Sequence, residues 1–479
     1  MGITIVGLGP GDPELLTVRA RAVLDAAATV WLRTARHPTV DGLALGVRGR
    51  SFDDLYDRHE RFEDVYAAII AALLDTAAAD DVVYAVPGHP LMGEATVRGL
   101  LAEAARAGVA VEIVDGLSFV EPVCRALGID PLDGGLQLVD ALDPRLDPGR
   151  PALIAQVYGR RIASDLKLAL LDGYPAETVV TVVSHAGAPG GPRIEAVPLA
   201  EIDRRDGRFD HLACLYLPAL SLDQNRRSFE GLRAITHRLR GPEGCPWDRE
   251  QTHATLKPFL IEEAYEVLAA LDDDDPARLA EEFGDLLLQM TLHTEIAEEA
   301  GEFTYGDVFE QINAKLLRRH PHVFGDAVVT SVEEQWRNWQ QIKSAEKGGA
   351  ESILAGVPKA MPALAYAQAV QERAARVGFD WPRLDEVLDK LTEEIQELRR
   401  AEGHAERLDE FGDVLFVLAN VARWLKLDAE EALRRAGAKF YRRFSGIEDL
   451  ARARGLHLPD LTLARMDELW NEVKAGERA

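Results

Sequence analysis

A duplicated acidic signature constrains this chain more than any other feature. Residues 279–290 read LAEEFGDLLLQM, and residues 408–418 read LDEFGDVLFVL. A second acidic cluster precedes each: Glu262-Glu263-Ala264-Tyr265-Glu266 in the first copy and Glu393-Glu394-Ile395-Gln396-Glu397 in the second. A basic cluster follows each, AKLLRRH around Lys315 and AKFYRRF around Lys439. Each copy then has a Trp and a Lys four residues apart, Trp339 with Lys343 and Trp470 with Lys474. Features that recur in one order mark a repeated structural unit. Apolar residues return every three or four positions here, so both units are expected to be all-helical. Residues 344–360, SAEKGGAESILAGVPKA, read as a linker from their Gly and Pro content.

Helical spacing turns the acids into a site. Positions three apart share a helix face. Glu394 and Glu397 therefore point one way, as do Glu410 and Asp413; Glu263, Glu266, Glu282 and Asp285 repeat the set. If the two helices of a copy pack antiparallel, four carboxylates converge and repel unless a cation sits among them. Oxygen-only ligands on rigid helices suit Mg²⁺, with Mn²⁺ as a substitute. A lone E-E-x-x-E run is ordinary solvated surface. Here Phe283-Gly284 and Phe411-Gly412 flank the acids, and LLLQM and VLFVL follow, so the acids are expected in a buried stripe.

Lys439 and Arg443 lie four apart, as do Lys315 and Arg319. With Lys474 or Lys343 they offer a grip for a polyphosphate. Trp339 and Trp470 are candidates for stacking on a base. The plain alternatives are surface cations and core aromatics.

Residues 1 to about 220 have a different texture. Short β-rich runs (Ile3–Val6, Asp81–Val86, Val109–Val114, Ala152–Gln156, Thr178–Val183 and His211–Leu217) alternate with helical stretches, which predicts an α/β domain. The first strand feeds Gly7, Gly9 and Gly11, then a helix around Pro13–Ala26. Such a turn lets backbone approach a ligand closely, but its spacing is not the dinucleotide G-x-G-x-x-G.

Charge and cysteine content narrow the function classes. Asp and Glu number 80 against 54 Lys and Arg, a net charge of −26 that disfavours binding a nucleic-acid backbone. Three cysteines with no C-x-x-C pair suggest neither a disulfide scaffold nor a cysteine-built zinc site. No signal peptide and no apolar run long enough to span a membrane are read, so a cytoplasmic location is expected. His320 and His322 flank Pro321, His293 lies two turns beyond the acidic signature, and Cys245 has no second thiol nearby; structural roles are expected for all four.

The helical half resembles the MazG family of nucleotide pyrophosphohydrolases. The likeness runs through GCPWDREQTHATLKPFLIEEAYEVLAAL, the LAEEFGDLLLQM core and INAKLLRRHPHVFGD, and in the second copy from VGFDWP to Trp470 and Lys474. It implies all-α modules that dimerise and a Mg²⁺-dependent cleavage of nucleoside triphosphates between the α- and β-phosphates. Glu394, Glu397, Glu410 and Asp413 would then be metal ligands, with Glu394 or Glu397 as base, and Lys439, Arg443, Trp470 and Lys474 would hold substrate. In the first copy the matching residues are Glu263, Glu266, Glu282 and Asp285, then Lys315, Arg319, Trp339 and Lys343. The second copy departs from the family pattern: Asp409 replaces a Glu and Gly437 an Asn, which Asn313 retains in the first copy. Both copies are candidate active sites.

The N-terminal half resembles the tetrapyrrole (corrin and porphyrin) methylases, through VGLGPGDPELLTVRARAVLDAAATVW, VPGHPLMGEATVRGLL and DGLSFVEPVCRALGI. This implies S-adenosylmethionine in a cleft, beside Gly9, Pro10, Gly11, Asp12, Pro87 and Gly88. His89 stands where active methylases commonly have Asp, which puts donor binding in question. The expected architecture is a methylase-like α/β domain over residues 1–222 and two all-α MazG-like modules over 223–345 and 358–479. Two other readings compete: a methyltransferase whose helical half only dimerises it, and a nucleotide-sensing regulator without turnover. His89 weighs against the first, and the intact acid sets weigh against both.

Overall fold

The computed structural model describes all residues except Met1, Glu60, Asp206, Glu333, Trp336, Arg337, Gln340, Gln341, residues 343–351 and residues 478–479. The chain divides into two compact units, Met1–Glu310 and Gln311–Ala479.

The first unit opens with a five-stranded sheet. Its strands are β1 (Gly2–Gly7), β2 (Val30–Leu32), β3 (Gly49–Ser51), β4 (Val82–Val86) and β5 (Ala110–Val114), in the order β3-β2-β4-β1-β5. All neighbours pair in parallel. Parallel strands need crossovers, supplied here by helices such as α1 (Val18–Ala26), α2 (Phe62–Ala77) and α3 (Ala95–Ala107). The central strands are apolar on both faces because helices cover both: Ile3 and Ile5 pack with Ile69 and Leu100, while Val6 packs with Leu24.

A second sheet follows, in the order β6-β7-β10-β8-β9, from β6 (Gln137–Asp140), β7 (Ala152–Ala155), β8 (Val179–Ser184), β9 (Arg193–Pro198) and β10 (Ala213–Leu217). Only its β6–β7 pair is parallel. Leu166 and Leu170 of α5 (Arg160–Leu170), which follows α4 (Val120–Leu127), close its core. The six strands read from the sequence are present within two residues at each end. Strands β2, β3, β6 and β9 went unread: the first two have three residues each, and β9, RIEAVP, is largely exposed and charged.

Beyond β10 the described structure is helical. In the first unit these helices are α6 (Phe229–Arg240), α7 (His253–Asp272) and α8 (Pro276–Ala300), and α9 (Tyr305–Arg319) crosses the boundary between units. The second unit holds α10 (Ala363–Ala375), α11 (Leu384–Arg400), α12 (His404–Trp424), α13 (Ala429–Ala453) and α14 (Leu463–Gly476). Among the described residues no helix is long and apolar enough to cross a membrane.

Candidate metal centres and a glycine-lined cleft

Local chemistry folds each acidic signature into a helical hairpin. In the first copy Asp274 takes a left-handed φ of 52°, and Asp275 caps α8, accepting from the N–H groups of Ala277 and Arg278 at 3.0 and 3.2 Å. Pro276 at the first helical position needs no N–H partner. In the second copy Gly403, at φ 88°, makes the turn between α11 and α12. Connections this short force α7 onto α8 and α11 onto α12, and both pairs pack along their length.

Each hairpin gathers three carboxylates. Oxygens of Glu263, Glu266 and Glu282 lie within 4.8 Å of one another, and those of Glu394, Glu397 and Glu410 do the same. Asp285 and Asp413 are not members of these close groups and act on them through charge. Asp413 instead lines a shallow cleft of about 520 Å³ along α12, with Glu406, Asp409 and Gly412. The expected buried stripe is only partly realised. Glu282 (8% exposed) and Glu394 (6%) are buried, whereas Glu263, Glu397 and Glu410 are half-buried and Glu266 is exposed. The flanking Phe283 and Phe411 are about half exposed as well, because within one chain nothing covers that side of the hairpins.

Each buried acid has one cation of its own. Arg278 donates from Nε to Glu282 at 3.2 Å, and Lys390 places Nζ 2.8 Å from Glu394. Both partners sit four residues before the acid on the same helix, a spacing that could have identified them in the sequence. Hydrogen bonds to Glu394 and Glu393 hold the Lys390 ammonium above its ordinary range. One cation does not quench three acids. Burial, then Asp285 and Glu266, pushes the Glu263 carboxyl up. Burial, then Glu397 and Glu394, does the same to Glu410. The donors are all hard oxygens and their repulsion is uncompensated, so both trios fit a divalent cation of the Mg²⁺ type.

The basic and aromatic residues pair alike in both copies. The Arg443 guanidinium lies 5.6 Å from the Trp470 ring centre, and that of Arg319 lies 5.4 Å from Trp339. Glu477 also accepts from Arg443 at 2.7 Å, and Trp470 packs on the Ile447–Ala451–Leu469 cluster, so this Trp is partly core. Lys439 and Lys315 are exposed, Lys474 is half-buried, and Lys343 lies outside the described residues.

In the N-terminal domain the loops after β1 and β4 are bonded together. Gly9 and Gly88 exchange backbone hydrogen bonds of 3.2 and 2.8 Å. A Cβ on Gly7 would lie 2.7 Å from the Gly88 carbonyl oxygen, so only glycine permits this approach. Pro10, Pro87 and Gly88 line a cavity of about 500 Å³. Gly9 and Gly11 shape the loop with positive φ, and Asp12 caps the turn after it by accepting from Glu14 N–H at 2.9 Å. His89 also lines the cavity; its Nδ1 accepts from Leu91 N–H at 3.1 Å and its Nε2 lies 3.4 Å from Asp115. A Cβ at Gly88 would meet nothing within 4 Å, so the cavity leaves room at this loop for a flat ligand.

Comparison with known proteins follows this division. The model of the MazG nucleotide pyrophosphohydrolase domain matches residues 251–324, which contain the first trio, and that of the tetrapyrrole (corrin/porphyrin) methylases matches residues 2–203. The uncharacterized protein YabN of Bacillus subtilis (strain 168) is 43% identical over 486 residues, covering 99% of each chain. The nucleoside triphosphate pyrophosphohydrolase/pyrophosphatase MazG of Thermotoga maritima is 46% identical over 250 residues, 52% of this chain and 96% of that one. The nucleoside triphosphate pyrophosphohydrolase of Escherichia coli (strain K12) is 44% identical over 254 residues, 51% of this chain and 97% of that one. With a hairpin trio in each helical copy and likeness along nearly its whole length, the chain belongs to the MazG family, fused to an N-terminal tetrapyrrole methylase-like domain.

Proposed function

We propose that the helical half is a Mg²⁺-dependent nucleoside triphosphate pyrophosphohydrolase that cleaves between the α- and β-phosphates, releasing a nucleoside monophosphate and pyrophosphate. The observation that carries this reading is the gathering of three carboxylates within 4.8 Å, twice, on matching hairpins. Glu263, Glu266 and Glu282 would hold the metal in the first module, and Glu394, Glu397 and Glu410 in the second, with Asp285 and Asp413 as outer acids. The ion supplies neutralisation of phosphate charge. Glu263 is well suited to take the proton of the attacking water, because burial and its acidic neighbours raise its proton affinity. Glu266 is the second candidate, and Glu397 and Glu394 are their counterparts. Glu394 already shares a salt bridge with Lys390, which favours Glu397 as the freer base. Lys315 and Arg319, or Lys439 and Arg443 with Lys474, would hold the phosphates, and Trp339 or Trp470 the base.

The modules are proposed to span residues 223–345 and 358–479, after a methylase-like domain over 1–222. We propose that this domain accepts S-adenosylmethionine along Pro10, Pro87 and Gly88, beside the loop formed by Gly9, Gly11 and Asp12. A homodimer is proposed as the working state, from the half-exposed apolar side chains on α8 and α12.

The test is pyrophosphate release from a panel of nucleoside triphosphates with Mg²⁺. Glu263→Gln/Glu266→Gln and Glu394→Gln/Glu397→Gln are assayed separately and together. The expected result is loss of about 10²-fold or more when the working module is hit, and complete loss in the combined variant. Full turnover in the combined variant overturns the assignment.

A further inference from the structure

Three buried polar atoms without a partner meet in one place. Arg33 Nη1, His37 Nδ1 and His185 Nδ1 each have no hydrogen-bond partner, and all three residues line the N-terminal cavity. His37 is 2% exposed. Folded proteins leave few such atoms, and those they leave tend to be completed by something else that binds. We propose that the wall of Arg33, His37 and His185 binds a small ligand that joins a planar ring to an oxyanion.

The donor inventory sets the ligand's chemistry. A guanidinium only donates, so Arg33 Nη1 requires an acceptor. Its Nε already donates to Glu94 at 3.3 Å, and its plane is held between the Tyr56 and Tyr66 rings, 5.1 and 4.8 Å from their centres. The free edge is thus fixed in direction, which suits a carboxylate or phosphate oxygen. His185 has Asp210 on its far nitrogen at 3.4 Å, which turns Nδ1 away from that carboxylate. A ring that takes up a proton with the anion then donates from both nitrogens. Burial, then the charge of His211, lowers His37 to about 4, so it stands neutral and can hydrogen-bond without adding charge.

Two further observations point to a built site. His185 and Gln156, which both line the cavity, have left-handed φ of 58° and 66°. Non-glycine residues hold that conformation at a cost and cluster at ligand sites. The aromatic side is also in place. Phe62 stacks on Tyr66 at 6.2 Å, meets Tyr56 edge-on at 6.4 Å, and is 54% exposed. An open aromatic face suits a planar ring, and the neighbouring Arg33 suits its oxyanion.

The inference rests on the reading of this cleft as a methylase-type site, where the ligand would be the second occupant beside the methyl donor. Two sources carry the chemistry: a nucleoside monophosphate, which the hydrolase half would release, and a carboxylated porphyrin. The full chain, in EDTA to exclude metal-assisted binding to the acid trios, is titrated calorimetrically with AMP, with a carboxylated porphyrin and with S-adenosylhomocysteine. The same titrations are run on Arg33→Lys, which keeps a counter-charge for Glu94, and His185→Asn, because Asn tolerates left-handed φ. We expect one oxyanion ligand to bind, each variant to weaken it at least about tenfold, and pyrophosphate release to stay unchanged. Binding of AMP assigns a phosphate ligand and binding of the porphyrin a carboxylate ligand. Binding of neither, or wild-type affinity in both variants, overturns the proposal. S-adenosylhomocysteine binding without an oxyanion ligand sinks this inference alone, and the reverse outcome sinks only the methyl-donor reading.

Discussion

Replacing Glu282 by Gln probes the first metal centre through two opposing terms. Oxygens within 4.8 Å of one another repel by about 1 kcal/mol per charge pair in water-like surroundings and by about 3–4 kcal/mol at an effective dielectric near 20. Glu266 is exposed, so the lower figure applies. Glu282 takes part in two such pairs, with Glu263 and Glu266, so neutralising it relieves about 2 kcal/mol. Against this stands its ion pair with Arg278 at 3.2 Å, a half-exposed i,i+4 contact that contributes about 0.3–0.5 kcal/mol. The relief wins, and the metal-free variant should be at least as stable as the parent. With metal the sign reverses, because a site of three charges becomes one of two. An affinity loss of at least about tenfold is expected, about 1.4 kcal/mol. The assay is thermal melting with and without Mg²⁺, paired with counting of bound Mn²⁺ by electron paramagnetic resonance, in a Glu410→Gln background that silences the second trio. Magnesium at about 100 times its dissociation constant should stabilise the parent by about 2.7 kcal/mol, or roughly 5 °C, and the variant far less. Equal magnesium shifts and equal Mn²⁺ counts in the two proteins would refute the reasoning.

Two other perturbations have a definite sign. His37 has a folded pKa of about 4 against an ordinary 6.5, so the unfolded chain binds its proton first; its contribution is intact above pH 6.5 and is lost as pH falls toward 4, by up to about 3 kcal/mol. Denaturation of the parent and of His37→Asn at pH 7, 5.5 and 4 should show their stability difference shifting by that amount in favour of the variant, and a constant difference would count against a neutral buried imidazole. Lys390→Met strips buried Glu394 of its ammonium at 2.8 Å and should lower metal-free stability by about 1–2 kcal/mol. Added Mg²⁺ should recover most of that loss, and a loss that magnesium leaves untouched would place Glu394 outside the metal site.

The sequence was most legible where one chemical need repeats. The acid pairs at spacing three, recurring in two copies, pointed to hairpins before any coordinates, and the hairpins are present. The apolar strands of the two sheets were readable because helices or a second layer bury them. Strands of three residues, such as Val30–Leu32, carry too little periodicity to register, and Arg193–Pro198 alternates without a clear apolar face. Which acids approach most closely was not legible either. Spacing alone grouped Asp285 and Asp413 with the glutamates, yet an aspartate has one methylene fewer, and both stay outside the close trios. The cluster of Arg33, His37 and His185 is drawn from two domains' worth of sequence, and no local pattern announces contacts across 150 residues.

The helices that carry the acids also carry an apolar stripe left half bare within one chain. Phe283, Leu287 and Met290 are 47, 43 and 52% exposed on α8, and their repeat counterparts Phe411, Leu415 and Leu418 are 50, 37 and 42% exposed on α12. Spacings of four and three place each set on one helix face. Chance exposure would not fall on the same three positions of both copies, so the repeat preserves a surface meant to be covered. Burying the exposed half of one leucine contributes about 1 kcal/mol, and a symmetric pair of chains buries each residue twice. Leu287→Glu with Leu415→Glu should therefore cost several kcal/mol of association and convert a dimer to monomer in light scattering. The same partner surface would remove water from beside the trios, which strengthens every charge interaction there. Hydrolysis should then fall with dimerisation while the trios stay intact, and a fully active monomeric variant would separate covering from catalysis.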